Sequence, residues 1–137
     1  MKQTLIPTYS RPSFNLATLT LRLSLGFVMF LGHGWGKVMH FSDKQERFVD
    51  FMSLGPQFSL ILVIIAEFIC SILIILGLFT RVAAVILIVN MLVAISLAHS
   101  WQIIGEAQLP FLFLAGYVSL LLLGSGKISL DNFVNRR

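Results

Sequence analysis

Residues 58–79 read FSLILVIIAEFICSILIILGLF, an apolar run broken by a single charge, Glu67. A helix of this composition has no polar face to turn toward water. The run reaches the roughly 20 residues needed to cross a hydrocarbon core about 30 Å thick. Gly55 and Pro56 precede it and Arg81 follows closely, so it is bounded as one span. An open strand is excluded, because in lipid its backbone groups would be left unpaired.

Three further stretches have the same character. Residues 15–38 follow a turn signal at Pro12 and Ser13 and end in GHGWGK (32–37); residues 81–98 and 105–124 complete the set. Over 137 residues the chain is 57% hydrophobic and 12% charged, against about 45–50% and about 25% in soluble domains. The expected fold is therefore all-α, an integral membrane four-helix transmembrane bundle in a single membrane domain covering residues 1–137. No internal repeat is visible. The N-terminus, MKQTLIPTYSRPSFN, begins as a secretory signal would, but the apolar run behind it contains Arg22 and passes into Gly32, Trp35 and Lys37 without an A-x-A-like cleavage site. It is expected to be retained as the first helix.

The connection HFSDKQERFVDFMSLGP (40–56) is long enough for an element of its own. Ser42 and Gln45 have capping-box spacing, and Phe41, Phe48 and Phe51 or Met52 recur at helical intervals. A short amphipathic helix between helices 1 and 2, over about 42–53 and lying on the membrane surface, is expected. The alternative is a lid over a site in the bundle.

A net charge of +4 could invite nucleic acid, but the basic residues are dispersed and no cluster with interleaved aromatics appears. They read instead as orientation signals. Lys2, Arg11, Arg81, Lys127, Arg136 and Arg137 fall on one side, against Lys37, Lys44 and Arg47 on the other. The first side is assigned to the cytoplasm, with both termini there; Trp35 and Trp101 then fall at the outer interface. Membrane lipid is the expected surroundings.

Charges within a span are expensive, about 2.5–3.5 kcal/mol at a helix centre, and are functional candidates by default. Arg22 and Glu67 are such residues, and a structural ion pair between them is expected as one reading, contact with a polar ligand or proton path as the other. On the first span Arg22, Gly26, Met29, His33 and Lys37 share one helical face. On the fourth, Glu106, Pro110, Phe113 and Tyr117 do the same. His33, Lys37, His99, Gln102 and Glu106 are thus expected near the outer end of the bundle, either as a partly hydrated mouth for a small ligand or as ordinary interfacial polarity. No HxxH or ExxH spacing supports a metal, and Cys70 stands alone, without a CxxC partner. Gly32, Gly34 and Gly36 lack phosphate-loop spacing and more simply permit a bend or a close helix contact. Asn90 reads as an interhelical hydrogen bond. No nucleophilic catalytic constellation is present.

Arg22 followed by LGFVMFLGHGWGK, Glu67 followed by LGLFTR, and a last span entered through Glu106 together resemble the DoxX family of small bacterial membrane proteins, over roughly residues 16–124. The resemblance implies a four-helix membrane fold and marks Arg22, His33, Lys37, Glu67 and Arg81 as signature polar positions. It also implies a bacterial inner membrane and a link to quinone-linked oxidoreduction. As no residues here form a recognisable haem or iron–sulfur ligand set, no cofactor is expected to be intrinsic, redox function would need a quinone as ligand or a redox partner protein, and the chain would be at most an accessory, non-catalytic subunit. Two other functions stand beside this: a structural or assembly protein whose charges only hold helices together, and a small-solute or proton transporter, which four helices without inverted repeats fit less well. The sequence does not fix the oligomeric state.

Overall fold

A computed structural model describes residues 10–134. Ser10 caps the first helix, its Oγ accepting the Ser13 N–H at 3.3 Å, and Pro12 in the first turn presets the backbone. Helix α1 then runs from Arg11 to Met39, loosening into one π-helical segment at Phe30–Gly34. It starts ahead of the expected residue 15 because the Ser10 cap, not the turn residues, sets its origin.

The connection departs from expectation. Helix α2 is a single turn, Phe41–Lys44, with His40 at the cap position, so Ser42 lies inside it and no Ser42–Gln45 capping box forms. Residues 45–55 continue as turns and bends. Met52 and Ser53 have φ of 54° and 60°, which a right-handed helix does not accept. Two side chains fix the loop instead: Phe51 N–H donates to Ser59 Oγ and Gly55 N–H to Asp50 Oδ1, both at 2.9 Å.

Helix α3, Pro56–Leu76, opens with Pro56 in its first turn and carries a π segment at Ile65–Cys70. It closes on Gly77 at φ 68°, where Leu78 N–H reaches Leu73 O at 3.0 Å and Gly77 N–H reaches Ile74 O at 3.2 Å. This is a Schellman closure, and the left-handed residue at its centre favours glycine. Helix α4, Thr80–Ala98, ends in a third π segment, Ala94–Ala98. Helix α5 is Gln108–Leu123, shorter than the expected 105–124, because residues 99–107 turn through a Gly105 at φ 153°. Glu106 therefore lies off the helix. A last short helix, α6, covers Leu130–Val134.

Gly26 of α1 lies against Ser71 and Ile75 of α3, and Gly34 against Glu67. Numbers that rise along α1 fall along α3, so the two are antiparallel. The main packing partners are α1 with α3, α3 with α4, α4 with α5, and α5 back with α1, a closed up-down-up-down bundle. Its core includes Met29, Ile74, Leu87, Met91, Phe113 and Tyr117. The outward faces are also apolar, as Phe27, Leu31, Ile61, Val85, Leu112 and Leu122 are exposed. In water such a belt would drive aggregation; against lipid tails it is the ordinary surface of a membrane protein. Three of the four long helices reach at least the 19 residues of α4, and the protein is a helical membrane bundle.

Candidate ligand cavity between the spans

The three π segments lie on the walls of one cavity of about 560 Å³. A π turn inserts a residue, frees backbone groups and re-aims the side chains beyond it, and such turns recur at functional sites. Here they carry His33, Glu67 and Ala94, all of which line the cavity. The walls are mostly apolar, with Leu62, Ile65, Ile86, Val89 and Leu97 among them. Those five are also exposed on the outer surface of α3 and α4, so the cavity faces the lipid between these two helices. Phe48, Val49 and Phe51 of the connecting loop line it as well.

Its polar groups centre on Glu67. Lys37 Nζ donates to Glu67 Oε2, and Asn90 Nδ2 donates to Glu67 Oε1 at 3.2 Å. One carboxylate thus holds α1, α3 and α4 together. The register depends on Gly34, where a Cβ would come 2.8 Å from Glu67 O. Of the three alternating glycines only this one is needed for close contact; a Cβ at Gly32 or Gly36 would meet nothing within 4 Å. Ser71 supports the π segment from below, its hydroxyl donating to Glu67 O at 2.6 Å.

His33 meets the ring of Phe113 edge-on at 5.9 Å, and Phe113 stacks on Tyr117 at the same distance. His99 and Glu106 are at the cavity's outer rim, 4.0 Å apart between Nδ1 and Oε2, beyond hydrogen-bond reach. His99 Nδ1 is buried without a hydrogen-bond partner. His33, Lys37, Glu67, His99 and Glu106 all line the cavity. Gln102 is exposed and stands apart from it. Among the described residues no three His, Cys, Asp or Glu side chains converge as a metal set would.

Arg22 is not part of this site, and the expected Arg22–Glu67 ion pair does not form. In the antiparallel register Arg22 faces Ile74 and Ile75, seven or eight residues beyond Glu67, which is about 11 Å along the helix. Its guanidinium donates to four carbonyls: Ile74 and Ile75 at 3.0 Å each, and Ser125 and Ile128 at 2.7 Å each. The first two sit at the C-terminal end of α3, where the helix dipole favours a cation. The last two belong to the segment behind α5. Asp131 extends this strap, its carboxylate accepting Phe79 N–H at 2.7 Å and Thr80 N–H at 3.1 Å at the start of α4, while Lys127 N–H bonds Asn15 Oδ1 at 3.1 Å. Of the residues in the charge count, Lys2, Arg136 and Arg137 lie outside the described residues.

The sequence model of the DoxX family matches residues 17–100, which contain most of α1, all of α3 and α4 and most of the polar groups just described. The chain belongs to the DoxX family. Two curated relatives match along most of their length. One, from Bacillus subtilis strain 168, is named "Putative oxidoreductase CatD" and is 32% identical over 124 residues, 89% of this chain and 90% of its own. The other, "Inner membrane protein YqjF" of Escherichia coli strain K12, is 30% identical over 114 residues, 80% of this chain and 86% of its own. No solved structure matches. For a DoxX protein of this kind the cavity shows how the polar positions of three different spans come to share one wall, while Arg22 serves the opposite end of the bundle.

Proposed function

We propose that this DoxX protein binds a lipid-soluble quinone in the cavity between α3 and α4 and serves a membrane oxidoreductase as a non-catalytic subunit. The observation that carries the proposal is the joining of an apolar, lipid-facing cavity of about 560 Å³ to the Lys37–Glu67–Asn90 cluster on its wall. Ligand sites of this size are typically apolar with a few placed polar groups. A quinone ring and tail suit the apolar walls, and its two carbonyl oxygens need donors. Lys37 carries two ammonium protons beyond the one given to Glu67, and Asn90 a second amide proton. His99 Nδ1, buried without a hydrogen-bond partner and 4.0 Å from Glu106 Oε2, adds a further polar group to the lining.

When bound, a quinone supplies two-electron, two-proton chemistry. The chain's contribution is to bind and orient the head group and to offer it hydrogen bonds from Lys37, Asn90 and His33, with Glu67 holding the first two in place. Electrons would come from a redox partner protein, in keeping with a single cysteine, Cys70, buried in the core. The oxidoreductase name of the Bacillus relative agrees with this assignment. The proposal places the chain in a bacterial inner membrane with both termini in the cytoplasm, since Arg11, Arg81 and Lys127 gather at the one end of the bundle where α1 and α4 begin and α5 ends. Glu67 and Lys37 then stand in the outer half.

The test is native mass spectrometry with lipid extraction on protein purified gently from its own membrane, comparing the natural chain with a combined Lys37→Leu and Glu67→Leu variant. Retention of a quinone by the first and its loss from a folded variant supports the proposal. If the natural chain carries only bulk phospholipid, the quinone assignment fails and a structural role takes its place.

A further inference from the structure

At the opposite end of the bundle a second pocket of about 470 Å³ lies between the start of α4 and the segment behind α5, lined by Thr80, Arg81, Ser125, Asp131 and the glycines at 124 and 126. It shares no residue with the quinone cavity. Two of its polar groups are unspent. Thr80 is 1% exposed, and its Oγ1 has no hydrogen-bond partner. Arg81 makes no hydrogen bond or ion pair with any described residue, in contrast to the four bonds of Arg22.

Both groups belong to the first turn of the 19-residue helix α4, whose N-terminal dipole end favours an anion. Asp131 is the one carboxylate in the lining; its two oxygens accept the amides of Phe79 and Thr80, and its single negative charge is outweighed by the two nearby guanidinium groups, Arg22 and Arg81. Behind Arg81, Gly124 (φ 77°) keeps the loop backbone open; a Cβ there would stand 3.8 Å from the guanidinium Nε and Nη2. The rim is apolar and exposed, formed by Phe79, Val82 and Leu123.

We propose that this pocket binds the phosphate group of an anionic phospholipid, held by Arg81 and the Thr80 hydroxyl, with an acyl chain along Val82 and Leu123. A free phosphate would use the same two groups. The apolar rim at a helix end favours the lipid, and Arg11 and Lys127 add positive charge to the same end.

The test uses the full chain, delipidated in neutral detergent and titrated separately with phosphatidylglycerol, phosphatidylcholine and inorganic phosphate, with bound molecules counted by native mass spectrometry. One phosphatidylglycerol should be retained in preference to phosphatidylcholine. Arg81→Gln should lower that retention about fivefold, the scale of one interfacial arginine, and Thr80→Val, which keeps every charge and nearly the same volume, should lower it measurably as well. Should Arg81→Gln not fold, Thr80→Val decides alone. Unchanged phosphatidylglycerol retention in the folded variants overturns the site. Displacement of the lipid by millimolar inorganic phosphate overturns the lipid assignment and identifies a free anion as the ligand.

Discussion

Lys37 of α1 donates to Glu67 of α3 at the level where Gly34 brings the two backbones together. Asn90 of α4 holds the other carboxylate oxygen at 3.2 Å. Glu67 alone, near the middle of its span, would cost on the order of 3 kcal/mol, whereas Lys37 stands near the end of α1. Together they offset one another, and the carboxylate becomes a tie among three helices at the wall of a cavity.

Removing one partner strands the other, which typically costs about 3–5 kcal/mol, whereas replacing both by apolar residues is often near neutral. Glu67→Leu and Lys37→Leu should each lower the unfolding temperature in detergent more than the combined variant does. Additive losses in the double variant would mean that the two residues act independently. Under the proposed function the double variant, though the more stable, should be the one that no longer retains quinone.

Gly34 sets the register that makes the pair possible. A Cβ there would come 2.8 Å from Glu67 O, 2.9 Å from its carbonyl carbon and 3.0 Å from Phe68 Cα, all backbone that cannot rotate away. Gly34→Ala should therefore push α1 off α3 at a cost of about 1–3 kcal/mol. Gly32→Ala and Gly36→Ala, with open space around both, should be neutral. Thermal unfolding of the three single variants checks this, and equal effects at all three positions would argue against a register role for Gly34.

The spans were readable from the sequence because an unbroken apolar run has few other physical solutions. His33 and Lys37 could be placed together because they are four residues apart on one helix face. The partner of Glu67 could not be, since pairing across helices depends on register, and the register rests on which one of three similar glycines touches α3. The partners of Arg22 were hidden for another reason: backbone carbonyls carry no sequence signature. The strap behind α5 was missed likewise, because Ser125, Lys127 and Asp131 look like an ordinary polar tail until their hydrogen bonds are seen. The amphipathic helix expected at 42–53 gave way to a loop, as spacing of apolar residues does not reveal the positive φ of Met52 and Ser53.

Arg22 should prove to be a structural residue. Hydrogen bonds from a charged donor are each worth about 1.5–3 kcal/mol, and Arg22 makes four of them, joining α1 to the C-terminal end of α3 and to the strap. Arg22→Lys keeps the charge but offers a compact ammonium in place of a planar fork. It should lose at least about 3 kcal/mol of stability and loosen residues 125–131, visible as faster amide hydrogen exchange there. Quinone retention, measured on the fraction that remains folded, should be unaffected. A loss of ligand without a loss of stability would return Arg22 to the site.

The loop over the cavity offers the last prediction. Phe51 N–H donates to Ser59 Oγ, and the same hydroxyl donates to Gly55 O at 2.8 Å, so one buried serine fastens the segment that brings Phe48 and Phe51 onto the cavity wall. Ser59→Ala removes both bonds while leaving α3 free of any new steric contact, at a cost of about 1–3 kcal/mol for the groups left unpaired. If the loop closes the cavity, amide exchange across 48–55 should rise and a bound quinone should dissociate faster, with the Lys37–Glu67 pair and the helix exchange pattern unchanged. If exchange rises but the dissociation rate stays the same, the loop is a passive surface, and the ligand passes between α3 and α4 from the lipid, where Ile65, Val89 and Leu97 stand exposed.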